Sequence, residues 1–217
     1  MKKLNFIIKY GLALLLLSFY SCESWLNVTP SDRLSEEMLF NDREGFVKAL
    51  NGVYIELNTN ELYGRNLTAG ALDVMGQYYS VASSSHAFYN YGGLVYTGND
   101  EKALFDNMWQ KCYAVIACCN TIIEKCDENK AGLSPVWRGS IKGEALALRA
   151  MLHFDMLRLF GPLTSELDKE SIPYQTNSDQ TVTPLLSGSE VVGLILDDLK
   201  NAVGLLKDTD PYFVEEE

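Results

Sequence analysis

Basic residues are scarce in this sequence, and histidine is nearly missing. Its 217 residues include 18 lysines and arginines against 29 aspartates and glutamates, with only two histidines. Without residues 1–21, which contain three lysines and no acidic residue, the net charge becomes −14. Such a charge repels nucleic acid phosphates and anionic lipid headgroups. We therefore expect neither nucleic acid nor a bare lipid surface to be a partner.

The sequence also lacks the motifs of common hydrolases and metal sites. It contains neither a GxSxG nor an HExxH phrase. The spacing of its cysteines matches no CxxC pattern of zinc sites, and His86 and His153 lie far from the cysteines in sequence. A glycosidase needs two suitably placed carboxylates, and so many acidic residues make chance pairs inevitable. We therefore expect no enzymatic activity, no cofactor and no metal site.

The N-terminal apolar run is too short to cross a membrane. Three lysines precede an apolar block of about ten residues that ends at Ser21-Cys22, whereas a spanning helix needs about 20. This layout predicts a signal peptide over residues 1–21. We expect Cys22 to carry a diacylglyceryl anchor and residues 22–35 to form an extended leader. The alternative is an ordinary cleaved signal in which Cys22 is incidental.

Helical periodicity dominates the remaining chain, which we predict to be one domain over residues 36–217. Apolar residues recur at three- and four-residue intervals in segments 43–58, 101–126, 135–160 and 189–206. Consecutive amphipathic helices predict a mainly α fold of tetratricopeptide-like helical hairpins packed in series. A long, partly irregular insertion over about residues 58–100 interrupts the series.

Local signals mark the ends of the helices and the few strands. Asp42 and Ser134 are the expected N-caps of the first and third long helices, and Ser189 is the expected N-cap of the last. Strand signals are limited to short apolar pieces near residues 94–97 and 171–174. The last helix should present one apolar stripe to the core, composed of Val192, Ile195, Leu196, Leu199, Val203 and Leu206.

Several polar residues and cysteines are assigned to packing. Cys112, Cys119 and Cys126 are spaced by seven, so neighbours lie about 10.5 Å apart along a helix, beyond the roughly 7 Å at which disulfides form. We interpret them, together with Cys118, as buried thiols. Among the polar residues of the helices, we interpret Asn120, Arg149, Arg158 and His153 as hydrogen-bonded or ion-paired groups that fix helix packing. The alternative is that the two arginines contact a ligand.

The insertion carries the candidate ligand site. Between residues 73 and 99 aromatic and amide side chains are dense and show no helical stripe. Sugar rings present a C–H face that packs on aromatic surfaces, and their hydroxyls need fixed donors and acceptors. The candidate ligand-binding residues are Asp73, Tyr78, Tyr79, His86, Tyr89, Asn90 and Tyr91. The alternative is that several of these tyrosines merely pack the insertion against the helices.

Four segments, in order along the chain, resemble the motifs of one family. Residues 23–30 (ESWLNVTP) resemble its opening D-x-L-x-x-x-P phrase, and residues 45–54 (GFVKALNGVY) its first helix. Residues 109–123 resemble its W-x-x-x-Y-x-x-I-x-x-x-N-x-I-I helix. Residues 143–162 resemble G-E-A-x-x-L-R-A-x-x-x-F-x-L-x-R-x-F/Y-G-x-x-P, except that proline directly follows the glycine here. The family is SusD/RagB, the nutrient-binding outer-membrane lipoproteins of Bacteroidetes.

The resemblance implies a surface lipoprotein that binds a glycan or other nutrient. It implies an incomplete SusD-like fold, because such proteins are usually considerably longer and this chain resembles their N-terminal portion. It also implies a lipid anchor in the outer membrane, exposure at the cell surface and delivery of oligosaccharides to a TonB-dependent, SusC-like transporter. Two alternatives stay open: a helical protein–protein interaction scaffold without a ligand site, and an exported hydrolase.

Overall fold

The computed structural model describes residues 36–179, 181–207 and 211, and it is mainly helical there. The expected signal peptide, Cys22 and the leader lie outside the described residues. The elements in chain order are α1 Glu36–Leu39, α2 Arg43–Leu57, α3 Ala71–Met75, α4 Tyr89–Gly92, α5 Asn99–Glu128, α6 Pro135–Phe160, a 3-10 turn Thr164–Glu166, β1 Glu170–Pro173, β2 Leu185–Ser187 and α7 Gly188–Leu206. In this part of the chain, no helix combines the length and apolar character that a membrane crossing requires.

The long helices pack in sequence order, as the periodicity predicted. Helix α5 packs on α6 and α6 on α7, while α2 contacts both α5 and α6. The two strands pair antiparallel between α6 and α7, with Glu170 opposite Ser187 and Pro173 opposite Leu185. The predicted mainly α fold of consecutive helical hairpins is confirmed.

The caps predicted for the first and third long helices are confirmed, and the cap of the last is corrected. The Asp42 carboxylate accepts from the Gly45 amide at 2.8 Å, and Ser134 accepts from the Trp137 amide at 3.5 Å. Helix α7 is capped by Ser187 rather than Ser189, in a reciprocal capping box with Glu190. The helix begins earlier than predicted because β2 leads directly into it.

One of the two strand predictions is wrong. Residues 171–174 overlap β1, but residues 94–97 form no strand. Leu94 has a φ of 54°, in the left-handed region that extended strands do not use, and the Val95 amide donates back to the carbonyl of Asn90 at 2.9 Å. The apolar residues of this piece lie in a turn at the surface.

The core is centred on α5 and α6, which supply most of its fully buried large side chains, including Met108, Ile116, Ile122, Leu152 and Met156. Cys112, Cys119 and Cys126 are buried as predicted, and burial raises the pKa of the Cys119 and Cys126 thiols to about 12. Cys118 is exposed, which corrects its assignment to the core. It occupies the helix position next to Cys119 and therefore points to another side.

The core-facing stripe predicted for the last helix is also wrong. Of its six residues only Ile195 is buried, and Leu196, Leu199, Val203 and Leu206 are exposed. The face of α7 that contacts the core carries Val191, Ile195, Asp198 and Ala202. The helix thus has two adjacent apolar faces, and the buried one includes a carboxylate.

Candidate functional site

The insertion between α2 and α5 is built from turns and two short helices on an apolar underside. Its buried apolar residues include Leu62, Leu67, Ala71 and Val74, and Leu62 and Leu67 pack in the same core as the long helices. The Tyr63 hydroxyl donates to the Asp155 carboxylate on α6 at 2.5 Å. The insertion is therefore a structured layer on the helices, with its remaining side chains available at the surface.

A side-chain bond ties the two short helices of the insertion together. Gln77, with a φ of 60°, lies two residues after the end of α3 and donates from Nε2 to the carbonyl of Gly92, at the end of α4, at 2.7 Å. This bond brings the segment that carries Tyr78 and Tyr79 against α4, whose first residue is Tyr89. Three of the predicted ligand residues thus belong to one linked unit.

These three tyrosines, which we call the tyrosine surface, expose their side chains. Tyr78 is 82% exposed and Tyr89 42% exposed, and Tyr79 is exposed as well. The ring of Tyr78 lies over Gly76, where a Cβ would come within 3.1 Å of the ring carbons. The Tyr79 hydroxyl donates to the carbonyl of Ala69. The backbone around these rings is therefore partly fixed, while the rings remain accessible.

His86 and Asp73 supply polar groups on the same insertion. His86 is exposed, and its Nδ1 accepts from the Phe88 amide at 3.1 Å, which leaves the proton of the neutral ring on Nε2. Asp73 is half-buried in the first turn of α3. An imidazole N–H and a carboxylate are a donor and an acceptor of the kind that sugar hydroxyls require.

Two other predicted ligand residues make contacts within the insertion and with α5. Tyr91 is only 3% exposed, and its ring meets the Phe88 ring at 5.8 Å and the Phe105 ring at 6.0 Å. The side chain of Asn90 donates to a carboxylate oxygen of Glu101 at 2.7 Å. Residues 89–91 form a helical turn, so consecutive side chains point in different directions and only Tyr89 belongs to the tyrosine surface.

Glu101 and Phe105, near the start of α5, contact residues of the insertion. Glu101 is 6% exposed, and the hydrogen bond from Asn90 lowers the pKa of its carboxyl. A Cβ at Gly98 would overlap a carboxylate oxygen of Glu101, so this close approach requires glycine. The Phe105 ring makes edge contacts with Tyr91 and with Tyr96, the latter at 5.4 Å. Sequence reasoning missed both residues, because their partners are not periodic neighbours.

A second polar cluster, which we call the hub, lies buried among α5, α6 and α7. The Arg149 guanidinium binds both carboxylate oxygens of Asp198, from Nε and Nη2, at 2.7 Å each, and Nη1 donates to Asn120 at 2.8 Å. The Tyr174 hydroxyl donates to Asp198 at 2.6 Å. Asn120 in turn donates to the carbonyl of Asn177 at 2.8 Å. The predicted packing roles of Arg149 and Asn120 are confirmed.

His153 completes the hub as a neutral side chain. Its Nε2 accepts from the Gln175 amide at 3.0 Å, so the proton is on Nδ1, which lies 2.9 Å from the carbonyl of Arg149. Burial lowers the pKa of His153 to about 4, and its ring stacks on Tyr174 at 4.0 Å. The prediction of a hydrogen-bonded structural histidine is confirmed.

Elsewhere the described residues form an open cleft of about 270 Å³ between α1 and the end of α5. It is lined by Glu37, Phe40, Asn41, Lys125, Glu128 and Lys130, none of which is a predicted ligand residue. Within the described ranges, no group of three or more histidine, cysteine or acidic side chains is placed to hold a metal ion. The tyrosine surface is therefore the site that best matches the chemistry expected from the sequence.

Known structures share this fold. A SusD superfamily protein from Bacteroides fragilis is similar with a TM-score of 0.63 at 20% identity, covering 79% of this chain and 41% of that one. A protein from Bacteroides vulgatus, described as a proposed sugar-binding protein, is similar with a TM-score of 0.62 at 24% identity, covering 78% of this chain and 38% of that one. The helical architecture of this chain is therefore shared with these two solved structures.

A family model gives the more specific assignment. The SusD-like model described as "Starch-binding associating with outer membrane" matches residues 24–214. The chain therefore belongs to the SusD-like family. SusD-like protein P38 from Formosa agariphila is 27% identical over 199 residues, which cover 84% of this chain and 34% of that protein. The chain spans about a third of the length of the curated relatives that it matches.

Proposed function

We propose that this chain binds glycans at the bacterial outer membrane through the tyrosine surface of its insertion. The observation that carries the proposal is the exposure of Tyr78, Tyr79 and Tyr89 on a unit that hydrogen bonds hold in place. Aromatic faces pack on the C–H faces of sugar rings, and a surface that is already ordered loses little entropy on binding. The description of the family, which names starch binding and the outer membrane, supports the same function.

We further propose that the bound sugars are uncharged. Among the candidate ligand residues only His86 can become cationic, and the chain as a whole carries a formal charge of −11. A sulfated or uronic glycan would meet repulsion and few counter-charges at such a surface. A neutral sugar needs only ring contacts and hydroxyl partners, which the tyrosines, His86 and Asp73 offer.

In the cell, we propose that residues 1–21 are removed as a signal peptide and that Cys22 carries the lipid anchor. Residues 22–35 would then join the anchor to the helical domain over residues 36–217. The protein would act at the cell surface by binding rather than catalysis, and it would deliver oligosaccharides to a TonB-dependent, SusC-like transporter. Co-purification of that transporter with the lipidated protein tests this step separately from sugar binding.

Calorimetry with neutral oligosaccharides tests the binding function, with maltoheptaose as the first probe because the family is described as starch-binding. Tyr78→Ala and Tyr89→Ala should each weaken binding about three- to tenfold, the range expected for loss of one aromatic contact. Tyr54→Ala is the matched control, because Tyr54 is 46% exposed but lies on α2, outside the insertion. Failure of every neutral oligosaccharide to bind, or equal weakening by Tyr54→Ala, would contradict the proposal.

A further inference from the structure

Glu101, a residue that is 6% exposed, links the start of α5 to the insertion. It lies in the first turn of α5 and accepts a hydrogen bond from Asn90 Nδ2 at 2.7 Å. Hydrogen bonds to an ionised acceptor are stronger than those between neutral groups. Glu101 thus holds one residue of the insertion firmly against the end of a long helix.

That one residue controls the geometry of α4. The carbonyl of Asn90 accepts from the amides of Gly93 and Val95, at 3.1 and 2.9 Å, so its backbone closes the turn that follows the helix. Its neighbour Tyr91 is fixed independently by ring contacts with Phe105. The backbone of α4 is therefore held at Asn90, the residue next to Tyr89, and at Tyr91, which follows it.

Among the described residues, the side chain of Tyr89 makes no hydrogen bond or ring contact with the long helices, and its ring is accessible to solvent. Its position therefore depends on the α4 backbone, which the Asn90 side chain ties to Glu101. Loss of that bond would remove one attachment of α4 and leave two others, the ring contacts of Tyr91 and the hydrogen bond from Gln77 to the carbonyl of Gly92. The exposed ring would then sample more orientations, and ligand binding would have to restrict them.

We infer that Glu101 is a positioning residue of the glycan site, acting through Asn90 on Tyr89 without touching the sugar. The inference rests on the proposed function of the tyrosine surface. In this role, Glu101 at the start of α5 orders the Tyr89 ring on the insertion. The closeness of Glu101 to Gly98 fits this task, because the glycine lets the carboxylate fold back toward Asn90.

Three variants test the inference in the calorimetric assay with maltoheptaose and the other neutral oligosaccharides. Glu101→Ala should weaken binding about threefold, which is no more than Tyr89→Ala does, because it disturbs one aromatic contact with the sugar without removing the ring. Glu101→Gln should restore most of the affinity, because its side-chain carbonyl still accepts from Asn90. Asp100→Ala removes a neighbouring exposed carboxylate from the same helical turn and should leave binding unchanged.

A positioning role also predicts non-additivity with Tyr89. In a Tyr89→Ala background, Glu101→Ala should cause no further loss of affinity, because the ring that it orients is missing. A general loss of fold would weaken binding in both backgrounds. Equal effects of Glu101→Ala in the two backgrounds, or wild-type affinity in Glu101→Ala, would overturn the inference.

Amide hydrogen exchange without ligand separates this inference from the proposed function. Glu101→Ala should speed exchange of the Val95 amide, which donates to Asn90, and leave the Gln175 amide in the hub unchanged. If no oligosaccharide binds the wild-type protein, the proposed function fails, and the role of Glu101 in the site fails with it. The exchange result still shows whether Glu101 orders α4, and unchanged exchange at Val95 would overturn that part as well.

Discussion

Replacing Asp198 by alanine should destabilise the protein strongly. Asp198 is 7% exposed and accepts two hydrogen bonds from Arg149 and one from Tyr174, all between 2.6 and 2.7 Å. Its removal leaves the buried guanidinium without a counter-charge, and breaking such a pair costs about 3–5 kcal/mol. Arg149 keeps its bond to Asn120, so we expect the lower end of that range, about 3 kcal/mol.

Urea unfolding followed by circular dichroism at pH 7 measures this cost, and Asp197→Ala is the matched control. Asp197 is the preceding residue on the same helix, and its ion pair with Lys200, at 3.3 Å, is exposed on both sides. Exposed pairs contribute about 0–1 kcal/mol, so the control should change stability by less than about 1 kcal/mol. Both variants remove one negative charge from α7, and they differ in whether that charge is buried or exposed.

A double variant tests whether the cost comes from the orphaned charge. Arg149→Met with Asp198→Leu replaces both charges by apolar groups, and such replacements of buried pairs are often neutral or stabilising. We expect the double variant to be more stable than Asp198→Ala alone. The reasoning is refuted if Asp198→Ala unfolds at the urea concentration of the Asp197→Ala control, or if the two substitutions of the double variant add without coupling.

Three further predictions concern pH, the first long helix and the last cap. Since the folded pKa of His153 is about 4 and its ordinary value 6.5, the unfolded state binds more protons as pH falls. Urea titrations should therefore show a loss of about 2 kcal/mol between pH 7 and 5 that a His153→Gln variant lacks; equal pH dependence contradicts this. Gly45→Ala should lower the thermal midpoint, because its Cβ would overlap the carbonyl oxygen of Leu39, whereas Gly52→Ala, with open space around it, should raise the midpoint. Ser187→Ala should cost about 1 kcal/mol in the urea assay through loss of the capping box, and an unchanged midpoint would show that the cap is dispensable.

The long helices could be predicted from the sequence because their signals are local. The caps Asp42 and Ser134 lie within three residues of the amides that they bind. The buried face of α7 could not be predicted in this way, because the exposed side of the helix carries more large apolar residues than the buried one. The choice between them depends on Arg149, 49 residues away, which bonds Asp198 inside the core. A pattern that counts only apolar residues cannot predict a face that is buried together with a carboxylate.

The candidate site could likewise be predicted only in part from the sequence. The density of tyrosines predicted an aromatic surface, and Tyr78, Tyr79 and Tyr89 are exposed. Separating Tyr89 from Tyr91 required knowledge of one helical turn, α4, which is too short to leave a periodic signal. The role of Asn90 required its partner Glu101, 11 residues further along the chain. Composition thus identified the region, whereas the orientation of each side chain depended on tertiary contacts.

Changes in the insertion and changes in the hub should have different measurable effects, although both contact α5 and α6. A series of ring contacts connects the insertion side of α5 to the hub. It comprises Phe105, Phe160, Trp109, Tyr113 and His153, whose neighbouring ring centroids are 4.7–6.2 Å apart. The hub joins α5, α6 and α7, so its disruption lowers the free energy of unfolding of the whole domain. The attachment of α4 concerns one turn, and its opening leaves those helices packed. Asp198→Ala should therefore lower the urea midpoint, whereas Glu101→Ala should weaken sugar binding at a nearly unchanged midpoint.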